Sequence, residues 1–114
     1  MSRSSEFVPL GVLEEQILVA VLRSGDDAYG MQVRREIERV TDRDLAIGAV
    51  YATLDRLEAK GLVASRRAAG DGPSRRVFSL TALGASALSE TRTMRDRLWR
   101  GIDVHRLHSL ALAR

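Results

Sequence analysis

Four arginines flank a short stretch rich in Gly and Pro. Arg66 and Arg67 precede Ala69-Gly70-Asp71-Gly72-Pro73-Ser74, and Arg75 and Arg76 follow it. That stretch has turn composition, so the arginines would sit on the two arms of a hairpin, opposed only by Asp71. Cations so placed can clamp a phosphate backbone or enter a minor groove. Strand alternation lets only about half of them face one side. The same residues also serve as a charged edge that keeps sheets from pairing. Upstream, Gly48, Ala52, Arg56 and Ala59 lie opposite Val50, Leu54 and Leu57 on a helical wheel, with Ala49 and Tyr51 on the flanks. A helix with small residues on its outer face can sit deep in a major groove, where bulk would meet the bases. Arg56 could take a guanine edge or a phosphate, and the Tyr51 hydroxyl suits a phosphate or a half-buried packing position. Tyr29 and Gly30 open a further helix, where free N–H groups hold phosphate; Gly30 serves equally for close helix packing.

Other chemistries find little support. The 114 residues include no cysteine, which excludes disulfides, thiolate zinc sites and thiol nucleophiles. His105 and His108 are three apart, a spacing that can hold a metal, but no carboxylate pair or thiol completes the shell. There is no HExxH, GxSxG or Gly-rich phosphate loop, so neither an enzyme nor a cofactor is expected. The longest early apolar run, residues 17–22, is too short to cross a bilayer and follows Glu14 and Glu15 instead of basic residues. A cytoplasmic protein without membrane contact is the simplest expectation.

The formal charge of +3 hides an asymmetry. Residues 1–60 hold seven Arg and one Lys against eleven acids, a net of −3; residues 61–114 hold ten Arg against four acids, a net of +6. An anionic partner for the second half, or plain solvation of an exposed helix, would each account for the basic excess.

The elements that must position these residues follow from periodicity. Residues 1–8 read as a frayed tail. Pro9 suits the first turn of a helix carrying Leu10, Leu13, Ile17, Leu18, Val21 and Leu22, which stops at Ser24-Gly25. A second helix follows Asp26-Asp27, either of which could cap it, with Val33, Ile37 and Val40 as its stripe. A third runs over about 48–60 and ends at Gly61. Residues 62–67 and 75–80 alternate as strands. Thr81 then caps a helix reaching to about residue 111, with Leu83, Ala87, Met94, Leu98 and Ile102 on one seam. Three helices, a hairpin and a long helix are the order of a winged helix-turn-helix with an association helix, mainly α with a small β-hairpin. The last helix either joins a second chain in a symmetric dimer or packs back on its own domain.

Several segments resemble the PadR family of winged-helix transcriptional regulators. Leu10-Gly11-Val12-Leu13-Glu14 with Ile17-Leu18 is similar to the family's opening helix, and Tyr29-Gly30 to the pair that starts its second. The longest match is Gly48-Ala49-Val50-Tyr51-Ala52-Thr53-Leu54-Asp55-Arg56-Leu57-Glu58-Ala59-Lys60-Gly61-Leu62. Arg75-Arg76 through Leu80-Thr81 and Gly84 is similar to the second wing strand and the next helix. Ala52 replaces the family's usual proline, and Val77-Phe78 replaces a common tyrosine pair. The resemblance implies a DNA-binding regulator of the short subgroup with a single C-terminal helix, a homodimeric repressor on a palindromic operator, released by an effector. A winged helix serving only protein–protein interaction is the alternative.

The domains expected are a tail (1–8), a winged helix-turn-helix (9–80) and a dimerisation helix (81–114). The DNA contacts expected are Tyr29, Gly30, Gly48, Ala49, Tyr51, Ala52, Arg56, Lys60, Arg67, Ser74, Arg75 and Arg76. The dimer contacts expected are Leu10, Leu13, Ala87, Met94, Leu98 and Ile102. Trp99, the one tryptophan, either packs in that dimer or lines a cavity at its centre for a small apolar or aromatic effector.

Overall fold

Apolar residues at spacings of three and four bury one side of α1 (Val12–Ser24), where Ile17, Leu18, Ala20 and Val21 enter the core. The structure, a computed structural model, describes residues 8–68 and 75–113. The helix starts after Gly11, later than Pro9 suggested, because the Glu14 carboxylate takes the Gly11 N–H at 2.9 Å and fixes the first turn there. Val8, expected in the tail, is partly buried against the core. Leu22 is exposed.

Asp26 and Asp27 do not cap the second helix. They lie in a 3₁₀ turn (Gly25–Asp27), and α2 (Gly30–Thr41) begins after Tyr29 with no side-chain cap. The turn closes through the Tyr29 N–H on the Asp27 carbonyl and carries Ala28 into the core. Val33 and Ile37 are buried, but Val40 is 53% exposed, since α2 ends one residue later at Thr41 and Asp42 follows in the left-handed region (φ 56°).

In α3 (Ile47–Ala59), Val50, Leu54 and Leu57 are buried as the wheel implied, and Thr53 joins them. Gly61, at φ 78°, turns the chain out of the helix. The strands β1 (Val63–Ala68) and β2 (Arg75–Leu80) pair antiparallel from Val63 opposite Leu80 to Ala68 opposite Arg75. The expected turn at 69–74, with Ser74, lies outside the described residues. Midway along its length β2 is also held from its other edge. The Phe78 N–H donates to the Ala28 carbonyl at 2.8 Å, and Tyr29 bridges Val77.

Thr81 caps α4 (Ala82–Trp99) by accepting the Gly84 N–H at 3.0 Å. A Cβ on Gly84 would lie 1.9 Å from the Leu62 carbonyl oxygen, so only glycine lets the helix meet the chain just ahead of β1 this closely. The expected single helix to residue 111 is in fact two. Arg100 leaves helical geometry, Gly101 adopts φ 84°, and the Asp103 carboxylate accepts the His105 N–H at 3.0 Å to start α5 (Val104–Leu112). Ala87, expected at a dimer seam, is buried in the core of its own chain, and Leu10 and Leu13 are partly buried against that core. Met94, Leu98, Trp99 and Ile102 are exposed. Among the described residues no helix is long and apolar enough to cross a membrane.

Candidate functional site

The outer face of α3, the start of α2 and the inner wing strand converge on one surface. Gly48, Ala52 and Tyr51 are exposed on α3, and nothing lies within 4 Å of where a Gly48 Cβ would project. Ala49 is only partly exposed. The Tyr51 ring lies across the first residue of α2: a Cβ on Gly30 would stand 2.4 Å from Tyr51 Cζ and 2.6 Å from its hydroxyl. Close packing therefore explains Gly30. It also sets the Tyr51 hydroxyl beside an uncapped helix start, whose unpaired N–H groups and positive dipole end attract an anion.

Tyr29 ties this helix start to the wing. Its ring carries the Arg75 guanidinium 4.2 Å from the centroid, and its hydroxyl accepts from Arg35 Nη1 at 3.3 Å. The Arg35 hydrogen bond, and then the Arg75 charge, hold the Tyr29 phenol below its ordinary range. Of the residues expected to bind, Tyr29, Gly30, Tyr51 and Arg75 are thus brought into one cluster, with Gly48 and Ala52 on the adjoining helix face.

The other cations are more committed. Arg76 reaches inward from β2 to Asp55 Oδ1 (3.0 Å) and Glu58 Oε1 (2.6 Å), with its guanidinium 4.8 Å from the Phe78 ring centroid. Glu58 also accepts from the Ser65 hydroxyl (2.7 Å) and backbone N–H (3.1 Å). The Ser65 hydroxyl above all draws the Glu58 carboxyl below its usual range; burial opposes it, and Arg76 and the Ser65 N–H add to the lowering. This network pins the wing to α3. It also offsets the like-charge opposition of Arg67 and Arg76, directly paired across the strands, and Arg67 itself stays exposed.

Lys60 and Arg56 lean toward α1. Lys60 Nζ donates to Glu14 Oε2 at 2.8 Å, Arg56 Nε lies 3.6 Å from the same oxygen, and Arg56 Nη2 donates to Thr53 Oγ1 at 3.4 Å. Lys60 is therefore engaged by a protein carboxylate, while the Arg56 side chain remains 53% exposed at the edge of the surface. Burial pushes the Glu14 carboxyl up, but Lys60, the Gly11 N–H and Arg56 together outweigh it and leave the group below the ordinary carboxylate range.

Sequence reasoning missed Arg35, Glu14 and the acidic pair Asp55 and Glu58. For Glu14 a local signal existed, a carboxylate three residues after the residue preceding the helix. For the others the partners are brought together only by the fold.

Comparison with known proteins agrees with this architecture. Residues 17–90 match the model of the "Transcriptional regulator PadR-like family". Transcriptional regulator Rv3488 of Mycobacterium tuberculosis is 36% identical over 77 residues, which span 68% of this chain and 71% of the relative. Among solved structures, the winged-helix DNA-binding protein of STIV superposes with a TM-score of 0.68 at 21% identity, over 84% of this chain and all of that one (100%). Bacillus subtilis PadR in complex with operator DNA gives 0.59 at 23% identity, over 70% of this chain and 46% of that protein. The matched family and fold are those of transcriptional regulators, not of enzymes.

Proposed function

The chain belongs to the PadR-like family of transcriptional regulators, and from that premise we propose that it binds double-stranded DNA as a homodimer on a palindromic operator and represses transcription. The observation that carries this reading is the convergence of three elements on one surface: the small outer face of α3, the uncapped start of α2, and Arg75 of the wing. Gly48 and Ala52 let α3 approach base edges without collision, and the exposed Arg56 reaches a base edge or phosphate at the rim. The Tyr51 hydroxyl and the free N–H groups of α2 hold one phosphate and set the register. Arg75, stacked on Tyr29, is aimed at the neighbouring backbone, and Arg67 extends the basic edge of the wing. The operator-bound PadR of Bacillus subtilis, which has this fold, supports the assignment.

The exposed seam of Met94, Leu98 and Ile102 joins two such units and sets the spacing of their half-sites. A dimer seated across a promoter excludes competing proteins, which is repression. Trp99 is half exposed beside that seam. A small apolar or aromatic effector held between two copies of Trp99 would release DNA by favouring one spacing over the other.

Fluorescence anisotropy with DNA from upstream of the gene, against a shuffled duplex, tests the assignment at low and near-physiological salt. Selective binding that persists at the higher salt is expected. Arg75→Ala should weaken binding to both duplexes and reduce the slope of log K against log[salt] by about 1. Equal binding to both duplexes that disappears with salt would overturn the reading and leave this surface to protein partners.

A further inference from the structure

Asp55 lies on the outer side of α3, seven residues after Gly48, three after Ala52 and four before Ala59, so these four share one line of the helix. Gly48, Ala52 and Ala59 are exposed and carry nothing beyond a Cβ, which leaves the Asp55 carboxylate as the polar group of that line. Its side chain is 60% exposed. The neighbouring polar side chains are drawn elsewhere. Tyr51 lies across Gly30, and Arg56 leans toward Glu14 at the rim.

A carboxylate facing a duplex is repelled by the phosphates, and here that repulsion is offset. Arg76 Nη1 donates to Asp55 Oδ1 at 3.0 Å, and Arg76 with Arg67 opposite it on β1 balances the charges of Asp55 and Glu58. The two acids are not equivalent. Glu58 is committed through both oxygens, Oε1 to Arg76 and Oε2 to Ser65. Asp55 gives only Oδ1 to Arg76, and among the described residues Oδ2 accepts no hydrogen bond. The ion pair thus fixes the carboxylate in place and leaves one oxygen for a donor from outside the chain.

We propose that Asp55 is the residue of α3 that selects a base: its Oδ2 accepts from the N4 amine of a cytosine in the major groove, while Arg76 holds the carboxylate in position. At that edge cytosine presents a donor alone. Guanine presents the acceptors N7 and O6, thymine presents O4, and adenine sets N7 beside its N6 amine. A carboxylate is therefore opposed by an acceptor on every base except cytosine. Such a group lowers affinity for most sequences and recovers it at the right one, so it separates operator from bulk DNA by rejection as well as by attraction. The inference rests on the reading of this surface as a DNA contact, and adds which base is chosen and by which atom.

Selection of duplexes from a randomised library by the full-length chain, followed by anisotropy with single-position variants of the selected duplex, tests this. Wild type is expected to select a cytosine in each half-site, and replacing that C·G pair alone should weaken binding by about tenfold or more. Asp55→Asn keeps an acceptor for Arg76 but adds an amide suited to adenine N6 and N7, so that position, and no other, should change to adenine. Asp55→Ala should erase the preference there, and Asp55→Glu, which keeps the carboxylate, should keep the cytosine. Glu58→Gln loosens the same wing network through an acid whose oxygens are both engaged within the chain. It should weaken all duplexes alike and leave the preferred base unchanged. Circular dichroism establishes that each variant is folded. A preference that Asp55→Asn and Asp55→Ala leave unchanged at every position would overturn the proposal, as would an equal loss toward all duplexes. Either result makes Asp55 an anchor of the wing and leaves the regulator reading intact. A wild-type chain with no preference at any position would overturn both.

Discussion

The winged-helix body and the C-terminal arm obey different rules within one chain. Among the described residues, every buried hydrophobic one falls between Ile17 and Ala87, where helices and hairpin close over a shared core. From Arg92 to Ala113 all described residues are exposed, including Leu98, Trp99, Leu107 and Leu110. The body buries most of its apolar side chains and leaves a few, such as Val12, Leu22 and Val40, exposed, whereas the arm buries none of its own. The contrast extends to charge. Acids in the body hold cations across long stretches of sequence, such as Glu14 with Lys60 and Glu58 with Arg76; within the arm the ion pair Arg92 with Asp96 is local and exposed, and Arg95 pairs back with Glu15 of the body.

The contrast can be broken by substitution. Leu54→Ala should cost about 2–5 kcal/mol in urea unfolding, because it opens a cavity in a fully buried position. Leu98→Ala, measured at a dilution where the chain is monomeric, should change stability by less than about 0.5 kcal/mol. Comparable losses would show that the arm is part of the folded core. The two glycine positions sharpen the same point. Gly84→Ala forces a Cβ into the Leu62 carbonyl and should destabilise the body by about 1–3 kcal/mol. Gly101→Ala meets open space but a positive φ, so an expected strain of about 1 kcal/mol should alter self-association and leave the body's unfolding midpoint unchanged.

A further effect concerns acid. The Glu14 carboxyl has a lowered pKa in the folded state, so its contribution is fully present above the unfolded value and fades as pH falls through the folded one. Glu14→Gln should therefore cost about 1–2 kcal/mol at neutral pH, the worth of a hydrogen bond to a charged partner. The gap between variant and wild type should narrow below about pH 4.5, the ordinary carboxylate value. A gap independent of pH in urea titrations would mean that Glu14 acts by packing alone.

What the sequence revealed tracks how local each cause is. The buried stripe of α3, the stop at Gly61 and the Thr81 cap all depend on neighbours within a turn or two, and all stand as read. The break after Trp99 was also local, a glycine followed two residues later by a capping aspartate, but the apolar seam across it suggested continuity. Asp26 and Asp27 looked like caps because the type is right; the bridge from Tyr29 to Val77 takes the chain elsewhere, and nothing near residue 29 announces it. Likewise, Arg76 and Lys60 read as free cations until the fold brought acids 18 and 46 residues away beside them. Tyr29, Gly30, Tyr51 and Arg75 stood among the twelve expected DNA contacts, while the contacts that gather these four were not legible.

The pairing of β2 on both edges has a mechanical consequence. The Phe78 N–H on Ala28 and the bridge from Tyr29 to Val77 anchor the hairpin midway along β2, one residue ahead of α2. A load applied at the wing is then not absorbed by bending of the hairpin alone; it is transmitted to the start of α2, and wing and helix tilt as one lever. A duplex that forces the wing outward would in the same stroke rotate the helix start on which Tyr51 rests, so the fit of one contact is adjusted by the other.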